Sequence, residues 1–143
     1  MPTYICTVAP GRFSDANKTA VVDAITRLHS EIGAAPAYLV HVIFNEVDPS
    51  NRFINSRRVS SDEVWIHGHI RSGRTDEQKA EMATRMTAEC AEGFGLDKSF
   101  VWVYITSLDC ASEFGSLLPA PGEERDWYAA LPPAVKERYG LEM

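Results

Sequence analysis

Tyr38-Leu39-Val40-His41-Val42-Ile43-Phe44 is β-branched and aromatic, follows the helix breakers Gly33 and Pro36, and reads as a largely buried strand. It has a counterpart further on. Sliding the chain against itself by about 61 positions sets Ser99 to Ile105 beneath it, matching Val40 with Val101 and Val42 with Val103. The same shift sets Thr3-Tyr4-Ile5 on Val64-Trp65-Ile66. It also sets Ser14-Asp15-Ala16-Asn17-Lys18 on Thr75-Asp76-Glu77-Gln78-Lys79. The landmarks recur in one order with almost no gaps, so one unit is written twice.

Each copy reads strand, helix, strand. Residues 3–8 are β-rich and end at the turn signal Pro10-Gly11. Ser14 is a good N-cap, and Val21, Ile25, Leu28 and Ile32 follow as one apolar helical stripe that Gly33 and Pro36 close. The second copy predicts strand Val64–Ile70, N-cap Thr75, a helix to about Glu92 and strand Phe100–Thr106. A unit of this size forms a right-handed parallel crossover. The fold class is therefore α/β (α+β): two fused β-α-β repeats making a four-stranded sheet with both helices on one face. Residues 1–143 read as one domain, with copies at about 2–47 and 63–108 and a tail over 109–143. The bare sheet face predicts an oligomer. Asp48 to Asp62 reads as a loop or hairpin, and the proline- and aromatic-rich tail as a wrap over the surface or a neighbour.

With 143 residues, 45% of them hydrophobic and 24% charged, the chain has the make-up of a soluble globular protein. A net charge of −6 sets it against nucleic acid and anionic membranes, and no apolar run nears a membrane span. Cys6, Cys90 and Cys110 are odd in number and lack metal-like spacing, so they read as free thiols. The start, straight into Thr3–Val8 without a leader-like stretch, fits a cytoplasmic protein.

Pro2 follows the initiator methionine directly. Removal of Met1 would leave a secondary amine that titrates far nearer neutrality than lysine, able to act as general acid or base. Arg71-Ser72-Gly73-Arg74-Thr75-Asp76 joins a strand to a helix start, and its guanidiniums beside free helix N–H groups suit a carboxylate. The repeat sets Pro10 and Phe13 opposite Arg71 and Arg74, and Glu63 opposite Pro2, so the second copy carries charges the fold does not require. His29 lies at the edge of the first stripe, as a core-edge histidine or a ligand; Cys90, its counterpart, reads as packing. His67 and His69 share a strand face in a metal-like spacing, but no third ligand is suitably placed and no metal is expected. Tyr104 on the last strand can reach a site or pack, and Glu113 follows in a loop.

Pro2-Thr3-Tyr4, Ile70-Arg71-Ser72-Gly73-Arg74-Thr75, Val101-Trp102-Val103-Tyr104, Glu113-Phe114-Gly115 and Leu118-Pro119 together resemble the tautomerase superfamily, in its cis-3-chloroacrylic acid dehalogenase-like branch. The resemblance implies that Pro2 is the catalytic amine. It implies that His29, Arg71 and Arg74 hold and polarise a substrate carboxylate, and that Tyr104 and Glu113 position and activate water. It further implies a small carboxylic acid substrate, no metal or organic cofactor, and a homotrimer. The chain departs from the family pattern at Phe114, where a tyrosine is expected, and in a shorter segment before Glu113. Hydration or dehalogenation of a small α,β-unsaturated acid is the leading expectation. Enol–keto tautomerisation of a 2-oxo acid such as phenylpyruvate is the alternative, and a non-enzymatic, cytokine-like binding protein is the third.

Overall fold

Two reciprocal caps set where the long helices begin. In the computed structural model, which describes residues 2–142, helix α1 spans Asp15–Gly33 and helix α2 spans Asp76–Phe94. Ser14 Oγ accepts from the Asn17 N–H at 3.1 Å, and Thr75 Oγ1 from the Gln78 N–H at 3.1 Å. The side-chain oxygens of Asn17 and Gln78 return the bond to the cap N–H, giving a capping box at each start. Each box amide also donates to the far end of the other helix, Asn17 to the Gly93 carbonyl and Gln78 to the Ile32 carbonyl, both at 3.0 Å. The duplicated sequence thus ties its two helices into an antiparallel pair.

Beneath them runs a four-stranded sheet of β1 (Thr3–Val8), β2 (His41–Glu46), β5 (Val64–Arg71) and β6 (Val101–Leu108), ordered β2-β1-β5-β6. The pairs within each half, β1 with β2 and β5 with β6, are parallel, and β1 meets β5 antiparallel. Tyr4, Cys6, Val8, Val64, Ile66 and Ile70 face the helices and are buried with Val21, Ile25, Leu28, Met82, Met86, Cys90 and Phe94. Cys6, Cys90 and Cys110 are free thiols, and Cys90 is core packing as expected.

Several sequence expectations shift. The first strands of the two copies correspond one residue further on, because Thr3 pairs with His69 and Thr7 with Trp65. That exchange makes Tyr4 equivalent to Ile66, both fully buried; the earlier match to Trp65 would turn the side chain to the opposite face. Pro2 therefore stands opposite Val64 rather than Glu63, and Ala9 rather than Pro10 opposite Arg71. The single-residue difference is absorbed before the caps, so Phe13 and Arg74 still correspond. Ala37–Leu39 is a short 3-10 turn, and β2 starts only at His41. It is an edge strand whose outward residues are exposed, not largely buried. Gly33 lies within α1, and Ala34 supplies the left-handed exit at φ 51°. The glycine serves space instead: a Cβ there would stand 2.9 Å from Met82 Cε.

Residues 53–58 form a hairpin of β3 (Phe53–Ile54) and β4 (Arg57–Arg58), turning through Asn55 and Ser56 at positive φ. The tail holds a second hairpin, β7 (Ser112–Glu113) with β8 (Ser116–Leu117), then helices α3 (Glu124–Ala130) and α4 (Pro133–Tyr139). It folds back on its own chain: Tyr128 stacks edge-on to Tyr38 at 5.4 Å and donates to the Leu141 carbonyl. The opposite sheet face carries Trp102 and Tyr104, 43% and 48% exposed. No helix among the described residues is long and apolar enough to cross a membrane.

Candidate active site

Pro2 extends β1 past Thr3, at the end of the sheet where β2 begins and β5 finishes. Its carbonyl accepts from the His41 N–H at 3.0 Å, and the residue is buried. Strand alternation puts Pro2 on the same face as Tyr4, toward the helices. The removal of Met1 concerns a position outside the described residues.

Tyr4 is what organises this corner. Its hydroxyl lies 2.7 Å from His29 Nδ1, with the rings edge to face at 5.7 Å. Burial pushes the Tyr4 phenol well above the ordinary tyrosine range, so it keeps its proton, and Nδ1 is the one acceptor for that O–H among the described residues. Burial, reinforced by Arg74, lowers the His29 pKa to about 4. His29 is thus neutral near pH 7 and, with Nδ1 accepting, carries its proton on Nε2. That Nε2 is buried without a hydrogen-bond partner among the described residues. A buried unmet donor costs about 1–3 kcal/mol, which points to a ligand acceptor.

Arg74 supplies the charge beside it. The Cβ that Gly33 lacks would be 3.5 Å from both Arg74 Nε and His29 Nε2, so the absent side chain leaves the two groups facing one space. Arg74 Nη2 donates to the Gly33 carbonyl at 3.1 Å, and Nη1 to the Arg71 carbonyl at 3.5 Å. Burial and then Arg71 lower the Arg74 pKa, but a guanidinium remains charged at any relevant pH.

Arg71 makes its contacts to the tail. It is buried, donates to the Pro119 carbonyl at 2.5 Å and forms an ion pair with Glu124 of the tail. Glu124 also accepts from the Gly122 N–H at 2.9 Å.

Glu113 lines a neighbouring cavity of about 520 Å³ with Tyr38, Val40, His41, Phe114, Tyr139 and Leu141. Its Oε2 is buried in that wall. Phe114 turns the hairpin at φ 52°, a conformation costly for a bulky residue. Its ring is pinned by Tyr139 at 5.0 Å and Trp127 at 6.1 Å, which fixes the Glu113 backbone. The cavity adjoins the Pro2 corner through His41. Tyr104 does not join them within one chain. It pairs with His67 on the open sheet face, edge-on to Trp65 at 5.5 Å. The strand end at Leu108 lies four residues, or about 13 Å, away.

Comparisons with known proteins identify the family. A family model described as "Putative oxalocrotonate tautomerase enzyme" matches residues 1–130. A crystal structure of a member of the cis-3-chloroacrylic acid dehalogenase family, named N1, is 38% identical, with a TM-score of 0.87, covering 96% of this chain and 98% of that one. The chain belongs to the tautomerase superfamily, in its cis-3-chloroacrylic acid dehalogenase-like branch. Two more distant structures share the tautomerase fold. A fused 4-OT asymmetric trimer is 22% identical, with a TM-score of 0.68 over 75% of this chain and 86% of that one. A malonate semialdehyde decarboxylase inhibited by 3-bromopropiolate is 24% identical, with a TM-score of 0.67 over 91% and 99%. No curated protein sequence matches the chain.

Sequence reasoning reached Pro2, His29, Arg71, Arg74, Tyr104 and Glu113, and the structure gathers all but Tyr104 at one end of the sheet. It missed Tyr4, Gly33 and Glu124. Only the inward alternation of β1 hinted at Tyr4, and nothing local marks a glutamate 53 residues from its arginine.

Among the described residues no group of three His, Cys, Asp or Glu side chains could hold a metal. The His67 and His69 rings lie tilted to each other with centroids 4.1 Å apart and share Thr106 Oγ1.

Proposed function

We propose that this protein is a cofactor-independent cytoplasmic enzyme that adds water to, or dehalogenates, a small α,β-unsaturated (3-halo)acrylic acid, with Pro2 as its general acid. The buried, unpaired Nε2–H of His29 beside Arg74 carries the reading. A donor and a fixed cation at the amino-terminal proline suit a carboxylate whose neighbouring carbon takes a proton. With Met1 removed, the Pro2 ammonium is close to the space between them.

Negative charge that develops on the substrate carboxylate in the transition state is stabilised by His29 and Arg74, with Arg71 behind them. Glu113 removes a proton from water, and the oxygen attacks C3. The Pro2 ammonium gives its proton to C2. For a 3-chloro substrate the resulting halohydrin expels chloride from C3 as its hydroxyl loses a proton, leaving malonate semialdehyde.

Tyr104 enters this scheme from a second copy. Its exposure on the open, aromatic sheet face supports a homotrimer in which that face is covered by neighbours and Tyr104 orients the water in an adjacent site. A fused 4-OT of the same fold is described as a trimer.

Tautomerisation of phenylpyruvate is the second reading, favoured by the same corner because it needs the amine and the clamp but no water. Turnover of cis- and trans-3-chloroacrylate and of phenylpyruvate by Met1-free protein, wild type and Glu113→Gln, separates them. Gln keeps the shape but cannot accept the proton. Dehalogenation or hydration should vanish in the variant, while tautomerisation falls far less. Unchanged hydration in Glu113→Gln removes Glu113 from the mechanism, and equal losses make it structural.

A further inference from the structure

The cavity of about 520 Å³ beside the Pro2 corner is far larger than the C3 substituent of a 3-haloacrylate. A chlorine there takes no more room than a water, whose share of liquid volume is about 30 Å³. The wall is also mostly apolar. Val40, Phe114, Tyr139 and Leu141 line it with hydrocarbon, and Tyr38 adds a third aromatic ring. These rings are braced: Tyr38 lies against Tyr128 at 5.4 Å, and Phe114 against Tyr139 at 5.0 Å and Trp127 at 6.1 Å. The Tyr128 hydroxyl ties the end of the tail by donating to the Leu141 carbonyl at 2.5 Å. A braced, concave, largely apolar wall is what a ligand pocket needs.

Two of its members join this cavity to the reacting atoms. The parallel pairing of Thr3 with His41 sets Val40 beside Pro2, one strand spacing of about 4.8 Å away. Strand alternation turns both side chains toward the helices, and Val40 packs on the core there. The other member is Glu113, with its Oε2 buried in the wall. When Pro2 protonates C2 and Glu113 takes a proton from the water that attacks C3, a group on C3 leaves the reacting carbons on the Glu113 side. That is the side of the cavity.

We propose that the cavity is a subsite for a bulky apolar group on C3, an aryl ring above all, so that the preferred acid is a 3-arylacrylic or 3-arylpropiolic acid rather than a bare 3-haloacrylate. This rests on the carboxylate lying at His29 and Arg74 and on the roles given to Pro2 and Glu113. The step needs no further reactant. On an arylacrylate, water loses a proton to Glu113 and its oxygen bonds C3, while the π pair between C2 and C3 takes the Pro2 proton at C2. The product is the 3-hydroxy-3-aryl acid, and the amine recovers a proton from Glu113 through solvent. Apolar area removed from water supplies the added affinity, and the Phe114 and Tyr139 rings favour an aromatic guest through edge-to-face or offset contact.

Calorimetric titration of the full-length, Met1-free protein with propionate and with 3-phenylpropionate, neither of which can be hydrated, reads the subsite without turnover. Wild type should bind 3-phenylpropionate roughly tenfold or more tightly than propionate, the lower end of what burying a phenyl group is worth. Leu141→Trp fills the cavity, and Tyr139→Ala removes one wall at a position 55% exposed. Each should erase most of that advantage and leave propionate binding as it was. Equal affinity for the two acids in wild type overturns the proposal. An advantage that both variants keep also overturns it, because the ring would then lie elsewhere. Should Leu141→Trp fail to fold, Tyr139→Ala decides alone. Arg74→Ala separates the subsite from the clamp. Propionate binding that survives this substitution intact defeats the clamp and the proposal with it, whereas lost propionate binding with no phenyl advantage in wild type defeats the proposal alone.

Discussion

Where the first half of the chain has Phe13, buried and 4.4 Å from Phe94, the second has Arg74, aimed at the space beside His29. Both residues stand just before a capped helix. One closes the core and the other opens a site. The same divergence recurs along the repeat. Pro2 begins the first half where buried Val64 begins the second, and His29 occupies on α1 the place that Cys90 fills on α2. The repeat gives two equivalent sheet corners, and one of them carries Pro2, an imidazole and a guanidinium. The fold therefore demands shape at these positions, while the candidate site takes Pro2 and His29 from the first copy and Arg74 from the second.

The sharpest way to break this comparison is at the strand starts. Pro2→Ala, with loss of Met1 confirmed by mass spectrometry, should cost on the order of 10²-fold or more in kcat, the usual worth of a general acid or base. Val64→Ala should instead cost roughly 1–3 kcal/mol of stability in urea unfolding and leave kcat nearly unchanged. The positions before the helix caps come next. Arg74→Ala should lose about 2–5 kcal/mol of transition-state binding in kcat/KM, and Phe13→Ala a similar amount of folding stability with little change in kinetics.

His29 and Cys90 separate by titration. The folded pKa of His29, about 4, is below its unfolded value, so the unfolded chain binds more protons between pH 4 and 6.5. Stability contributed by neutral His29 is present above pH 6.5 and lost as pH falls toward 4, by about 3 kcal/mol over the window. Burial pushes the Cys90 thiol up to about 12, so it stays neutral throughout. Urea unfolding of His29→Gln should show a flatter acid limb than wild type, and Cys90→Ala should keep the wild-type slope.

The smallest effect lies at the helix exits. Ala34 and Gly95 both adopt left-handed backbone, at φ 51° and 72°. Ala34→Gly should stabilise the protein by about 1 kcal/mol and Gly95→Ala should destabilise it by a similar amount, as read from thermal unfolding.

These pairs also explain what the sequence made legible. Ser14 and Thr75 cap their helices by local hydrogen bonds, so residue type and spacing were enough to find both starts. The α1 stripe held because burial of Val21, Ile25, Leu28 and Ile32 follows helical period alone. The strand match slipped by one because a strand alternates every second residue, and few identities pinned Thr3–Ile5 against the second copy. Only the sheet hydrogen bonds fix that register. The tail helices have seven residues each, too short to form on their own propensity, and are held by contacts such as Tyr128 on Tyr38. Half of the site was readable as residue types at a turn and a terminus. The rest, Tyr4 behind His29 and Glu124 on Arg71, exists only through contacts 25 and 53 residues apart.

The central claim is that the Pro2 amine and the His29–Arg74 pair form one site, built from both copies at one corner of the sheet. Covalent labelling of the Met1-free protein by 3-bromopropiolate, mapped by peptide mass spectrometry, joins the two directly. This acetylenic acid carries a carboxylate for the clamp and an electrophilic carbon for the amine. A single adduct on Pro2, slowed by excess propionate and abolished in Arg74→Ala, is the predicted result. An adduct on exposed Cys110 or a lysine with Pro2 untouched, or labelling of Pro2 that is indifferent to both propionate and Arg74, would contradict it.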